Sequence, residues 1–126
     1  RIEGIGRPRV EASFLPQVID AMCKVPDALS LAAMHYLEQR LGRRVGASSG
    51  TNLIGALLAA QQMRAVGEQG SVVAILCDSG ERYATSYYDA TWLQAEGFEL
   101  APLIDCVAAC AEQGVALPDH LRRAGL

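Results

Sequence analysis

The chain has 126 residues, 51% of them hydrophobic and 20% charged, with a formal net charge of -3. This composition excludes an intrinsically disordered chain and fits one globular domain. The arginines are scattered rather than lined up beside stacking aromatics, which argues against a nucleic-acid partner, and no apolar run approaches the roughly 18 to 20 residues of a membrane span.

The chain opens on Arg1 without a methionine, and Arg1-Ile2-Glu3-Gly4-Ile5-Gly6-Arg7-Pro8-Arg9 reads as the middle of a loop. A piece of a longer protein is therefore expected. No charged start followed by an apolar core and a small-residue cleavage site appears, so the expected location is the cytoplasm. Cys23, Cys77, Cys106 and Cys110 are too few for a disulfide scaffold and are expected to be reduced.

Glycine and proline keep residues 1–16 irregular. Val18–Val25 is a short apolar run that reads as a strand, ended by Pro26; Asp27 then caps a helix over Ala28–Leu41, which Gly42 closes. Arg44–Ala47 reads as a short strand broken by the turn Ser48-Ser49-Gly50-Thr51-Asn52. Leu53–Ala65 is apolar around most of its circumference and reads as a largely buried helix. Ser71–Leu76 reads as a buried strand, followed by a helix around Tyr88–Ala95 that Gly97 stops. Two short helices, Pro102–Gln113 and Pro118–Ala124, complete the chain.

Strands alternating with helices at this spacing predict an α/β fold, three-layer, with parallel strands and crossover helices. Three strands make a thin sheet whose faces need cover, which a portion preceding Arg1 would supply. Residues 1–100 are expected to form the main α/β unit and 101–126 a helical C-terminal extension.

In an open parallel sheet, ligands sit beyond the carboxyl ends of strands, which directs attention to Asp78-Ser79-Gly80 after the run Ser71–Leu76. As structure this is a turn whose side chains bond nearby backbone. As function, a hydroxyl there suits an uncharged ring nitrogen, and a carboxylate a protonated one. Gly46-Ala47-Ser48-Ser49-Gly50 fits G-x-S-x-G, with Ser48 as a hydrolase nucleophile and Asp78 or Asp105 followed by His120 in the right order for a triad. Such a hydrolase needs a larger sheet than this chain builds. The same turn could instead hold an anion on backbone N–H groups and the Ser48, Ser49 and Thr51 hydroxyls, or simply be small for tight packing. Cys106 and Cys110, four apart, read as small hydrophobes on one helix face rather than metal ligands; His35 reads as exposed, and Tyr87, Tyr88 and Trp92 as packing.

Three elements in order, Glu3-Gly4-Ile5-Gly6, Gly46-Ala47-Ser48-Ser49-Gly50-Thr51-Asn52 and Ser71-Val72-Val73-Ala74-Ile75-Leu76-Cys77-Asp78-Ser79-Gly80-Glu81-Arg82-Tyr83, closely resemble the C-terminal part of the cysteine synthase and cystathionine β-synthase family. The likeness covers about residues 1–97. It implies a tryptophan-synthase-β-like fold of which residues 1–100 are the C-terminal part of the large domain. It also implies pyridoxal phosphate as cofactor, an amino-acid substrate, a homodimer, and β-elimination or β-replacement on O-acetylserine, serine or cysteine, either synthase or desulfhydrase.

The resemblance places Ser79 at the pyridine nitrogen, Gly46 along the same cleft, the Gly4–Gly6 loop near its mouth, and Asp78 aside, toward backbone or Arg82. A neutral partner for the ring nitrogen makes the ring a weaker electron sink than an acidic one would. The family's Schiff-base lysine, phosphate loop and substrate-carboxylate loop lie upstream of the matching region. Lys24, the single lysine, matches no catalytic position. The chain alone is therefore expected to be inactive, with no catalytic residue of its own and dependent on the remainder of the enzyme before Arg1.

Overall fold

Pro26 ends the preceding segment, and Asp27 places a carboxylate at the positive end of the helix it opens, so α1 runs Asp27–Leu41. Gly42 takes a left-handed φ of 65° and gives its N–H to the Glu38 carbonyl, closing the helix. In this computed structural model, which describes residues 2, 5 and 10–121, three more helices follow: α2 (Ala47–Ala65), α3 (Ala90–Ala95) and α4 (Ala101–Gln113). Single 3-10 turns lie at Pro16–Val18, Gly80–Tyr83 and Asp119–Leu121. The Glu3-Gly4-Ile5-Gly6 element, apart from Ile5, lies outside the described residues, as do residues 122–126, where the last expected helix would end.

The central element is α1. Leu29 through Met34 are all buried, so every side of that stretch is covered. On one side Leu29, Ala33 and Tyr36 pack with Ile54 of α2 and with Val107 and Cys110 of α4. On the other, Leu31 and Met34 meet Val45, Ala47, Tyr83, Tyr87 and Leu100. The contact between α1 and α2 is close because Gly50 has no side chain: a Cβ there would overlap the Ser30 carbonyl oxygen. Beside it, Thr51 donates to the Ser30 hydroxyl at 2.8 Å. Expected to be largely buried, α2 buries only Ala47, Ser49, Gly50 and Ile54. Its apolar circumference is wider than the single face that meets α1.

The expected strands are not formed. Among the described residues there is no strand and no sheet, so the three-layer α/β architecture with parallel strands is overturned. The reason is that an apolar, β-branched run supplies only the local half of a strand, and the other half is a neighbour to share the hydrogen-bond ladder. Residues 18–25 form the end of a 3-10 turn, a bend at Asp20 and then a stretch without a ladder. Residues 71–76 belong to no helix or strand, with Val73 90% and Ile75 70% exposed. The segment 44–47 makes one isolated antiparallel bridge, Val45 to Ser79, before Ala47 enters α2. The four α-helices, by contrast, lie close to their expected limits, except that α2 begins at Ala47 and so absorbs the turn expected at 48–52, while the described part of the expected helix Pro118–Ala124 is only the 3-10 turn Asp119–Leu121.

Candidate functional site

The Val45–Ser79 bridge brings the two glycine-bearing stretches together. Gly46 donates its N–H to the Asp78 carbonyl at 2.9 Å, and Gly80 donates to the Arg44 carbonyl at 3.2 Å, with Val45 and Ser79 facing each other between them. In such a non-hydrogen-bonded pair, each residue's own N–H and C=O point away from the partner. Val45 is 1% exposed, so its outward groups must find partners inside the protein. Both find the Tyr88 hydroxyl, which accepts from the Val45 N–H at 3.1 Å and donates to the Val45 carbonyl at 2.9 Å.

Neither Gly46 nor Gly80 leaves room for a side chain. A Cβ on Gly46 would overlap the Asp78 carboxylate, and one on Gly80 would lie 2.5 Å from the Val45 carbonyl oxygen. Gly46 is the N-cap of α2, so the Asp78 carboxylate rests against the positive end of that helix. Tyr83 donates its hydroxyl to Asp78 Oδ2 at 2.8 Å. Asp78 is therefore turned inward onto Tyr83 and Gly46, not toward Arg82, whose guanidinium lies over the Tyr83 ring.

Ser79 has the opposite disposition. Its side chain is exposed, and its Oγ accepts a long 3.4 Å hydrogen bond from the Glu81 N–H, which caps the 3-10 turn Gly80–Tyr83. A serine hydroxyl has one proton to donate and two lone pairs. With Glu81 occupying a lone pair, the proton remains to be donated outward, to an acceptor such as an uncharged ring nitrogen.

The remaining candidates are placed as follows. Ser48 is in the first turn of α2, and among the described residues no non-glycine has a positive φ, so it does not sit on a strained elbow. Ser49 is buried, its Oγ accepting from the Cys77 N–H at 2.9 Å, and the Thr51 hydroxyl is turned to Ser30 and the Ala47 carbonyl. Those two hydroxyls are used inside the fold rather than presented to an anion. Asp105 lies on the exposed side of α4, Lys24 on the exposed segment before α1. The His120 side chain lies outside the described residues. Cys110 is buried in the α1–α4 contact, where Gln61 donates to its sulfur, and Cys106 is half-buried against the same core. Among the described residues no group of histidine, cysteine and carboxylate side chains could hold a metal.

Three residues carry more of the site than their sequence setting indicates. Tyr83 and Tyr88 read only as packing or as part of a motif, yet their hydroxyls hold the two sides of the bridge. Burial pushes the Tyr88 phenol above its usual value, partly opposed by its hydrogen bond to Val45. The Arg44 guanidinium lies over its ring, 4.8 Å from the centroid, and the tilted ring of His35 packs against it at 4.9 Å. His35, expected to be exposed, is half-buried, with Nε2 2.8 Å from the Tyr87 carbonyl. A chain of aromatic contacts, Tyr83 to Tyr87 to Trp92 to Phe98, then ties the site to α3. Tyrosine spacing alone gives no signal for such partners.

No family model matches the chain. It is 55% identical over 101 residues to the L-cysteine desulfhydrase Cds1 of Mycobacterium tuberculosis, covering 80% of this chain and 27% of that protein. It is 30% identical over 101 residues to a cysteine synthase of Dictyostelium discoideum, 80% of this chain and 26% of the relative. A cystathionine beta-synthase of the same organism is 34% identical over 98 residues, 78% of this chain and 19% of the relative. The chain thus spans about a quarter or less of the length of these relatives.

Proposed function

We propose, from the premise that this chain is homologous to the cysteine synthase and cystathionine β-synthase enzymes over 80% of its length, that it is part of a pyridoxal-phosphate enzyme. The reaction we assign to the whole protein is cleavage of the Cβ–S bond of cysteine, with β-replacement on O-acetylserine or serine as the other outcome. The 55% identity to a cysteine desulfhydrase, against 30% to a cysteine synthase, favours the first. The whole protein is expected to be a cytoplasmic homodimer, with residues 1–100 completing its large domain.

The observation that carries the reading is the Ser79 hydroxyl: exposed, with one lone pair taken by Glu81 and its proton available, beside a carboxylate that is committed elsewhere. When bound, pyridoxal phosphate supplies an electron sink for the α-carbon of an amino acid. Toward that group this chain offers a hydrogen-bond donor, Ser79, for the ring nitrogen, and at Gly46 a backbone whose missing side chain leaves room for the inward-turned Asp78 carboxylate. As a neutral donor, Ser79 leaves the nitrogen without a proton. A weaker sink suits departure of a good leaving group from Cβ more than reactions that need prolonged charge storage. The Asp78 carboxylate, turned onto Tyr83 and Gly46, is not placed to accept from a protonated ring nitrogen, so its hydrogen bond keeps the two chemistries apart. The single lysine, Lys24, lies before α1 and not at this site, and the phosphate loop is upstream of the region the resemblance covers. Those roles are assigned to other parts of the protein.

The test is made on the full-length protein loaded with pyridoxal phosphate, assaying sulfide released from L-cysteine. Sulfide release that falls in Ser79→Ala, together with a shifted cofactor absorbance, is the expected result. Consumption of O-acetylserine and sulfide without sulfide release from cysteine would move the assignment to a synthase. Unchanged rate and spectrum in Ser79→Ala would remove Ser79 from the site.

A further inference from the structure

The Ser79 hydroxyl can serve a ring nitrogen only if its direction is fixed, and the backbone that carries it is held by one isolated bridge rather than by a sheet. We propose that Tyr88 and Tyr83 are positioning residues that set the direction of the Ser79 hydroxyl by clamping this bridge from its two sides. The proposal rests on the reading of Ser79 given above.

On one side, the Tyr88 hydroxyl takes the place a neighbouring strand would occupy, bonding both the N–H and the C=O of Val45. Its ring cannot swing away, because Arg44 covers one part of it and His35 packs against another; Arg44 is in turn held by Glu38 at 3.1 Å. On the other side, Tyr83 fixes the Asp78 carboxylate against Gly46, and Tyr83 is itself buried and stacked on Tyr87 at 4.9 Å. Val45 and Asp78 are therefore each restrained by a phenol, and Ser79 is the residue opposite the first and adjacent to the second. A single bridge can hinge about its two hydrogen bonds. Two phenols, Tyr83 buried in the core and Tyr88 half-buried against it, remove that freedom. Removing either hydroxyl leaves the aromatic packing in place and releases one side of the bridge.

The experiment uses the full-length, cofactor-loaded protein and the variants Tyr88→Phe, Tyr83→Phe and Ser79→Ala, with each phenylalanine change also combined with Ser79→Ala. The readouts are the absorbance and circular-dichroism bands of the bound cofactor and its dissociation constant. Each phenylalanine variant is expected to move the cofactor bands in the same direction as Ser79→Ala but less far. Each should also raise the dissociation constant by about 3- to 10-fold, the effect of one net hydrogen bond. In the combined variants, no further spectral change beyond that of Ser79→Ala is expected, because residues acting through one group are not additive.

Spectra unchanged in both phenylalanine variants while Ser79→Ala shifts them would overturn the clamp and leave the Ser79 assignment intact. Spectral changes that add to those of Ser79→Ala would show the phenols acting by another route, and the proposal fails. A silent Ser79→Ala would take down the reading of the site and the clamp with it. If one phenylalanine variant does not fold, the other, on the opposite side of the bridge, carries the same test.

Discussion

Replacing Gly80 by alanine tests how tightly the bridge is closed. The added methyl would lie 2.5 Å from the Val45 carbonyl oxygen, 2.6 Å from the Val45 nitrogen and 2.7 Å from Arg44 Cβ, where ordinary contact begins at 3.4 Å. The nearest two atoms are backbone and cannot rotate aside, so the segments must separate by most of an ångström. That separation breaks or lengthens the bonds from Gly80 to Arg44, from Gly46 to Asp78, and between Val45 and Tyr88. Losing three or four net hydrogen bonds at about 0.5–1.5 kcal/mol each gives a destabilisation of about 1.5–6 kcal/mol. Urea denaturation followed by the fluorescence of Trp92, the single tryptophan, measures it. With a slope of about 1–3 kcal/mol per molar urea, the midpoint should fall by roughly 0.5 M or more at unchanged slope. A midpoint within about 0.2 M of the parent would mean that the bridge is not closed as described.

Gly46→Ala obstructs only the tip of Asp78, which can swing away at the loss of its Tyr83 hydrogen bond; the expected cost is about 1.5–3 kcal/mol, the range for a bond to a charged group. A double-mutant cycle with Asp78→Ala should therefore show strong coupling, and simple additivity in urea midpoints would contradict it. Gly55→Ala, in the interior of α2 with nothing within 4 Å of the new methyl, should instead raise stability by about 0.5–1 kcal/mol, read as a higher midpoint. Because the folded state raises the Tyr88 phenol above its ordinary 10.0, that group's contribution is fully present below pH 10 and is lost as pH rises through its folded value; stability measured above pH 10 should fall more steeply for the parent than for Tyr88→Phe. Finally, backbone amides of residues 72–76 should exchange with solvent near the unprotected rate, while those of residues 31–34 in α1 exchange slowly, as read by hydrogen–deuterium exchange.

The helices were legible because their ends are written locally: Pro26 and Asp27 before α1, Gly42 after it, Pro102 and Gly114 around α4. The stretch Ser48–Asn52 reads as a turn from its composition. Its small residues serve close packing of helix on helix, which only the position of Ser30 reveals. The strand expectations failed for a related reason. Valine and isoleucine at 72–75 declare a preference, while a ladder depends on a segment elsewhere. The likeness to sulfur amino-acid enzymes was also readable, since it rests on short ordered motifs rather than on architecture. Asp78 and Ser79 were picked out as the candidate pair, but which one turns inward depended on Tyr83. The partners of Tyr88 and His35 lie 43 and 52 positions away and leave no trace in spacing.

The open run Val72-Val73-Ala74-Ile75-Leu76 has a practical side. An uncharged, proline-free, largely β-branched peptide exposed outside any helix or sheet is the chemical profile of an aggregation seed. Concentrated solutions of the chain by itself should cloud and bind thioflavin, and a lysine at Val73, the side chain most open to water, should keep them clear.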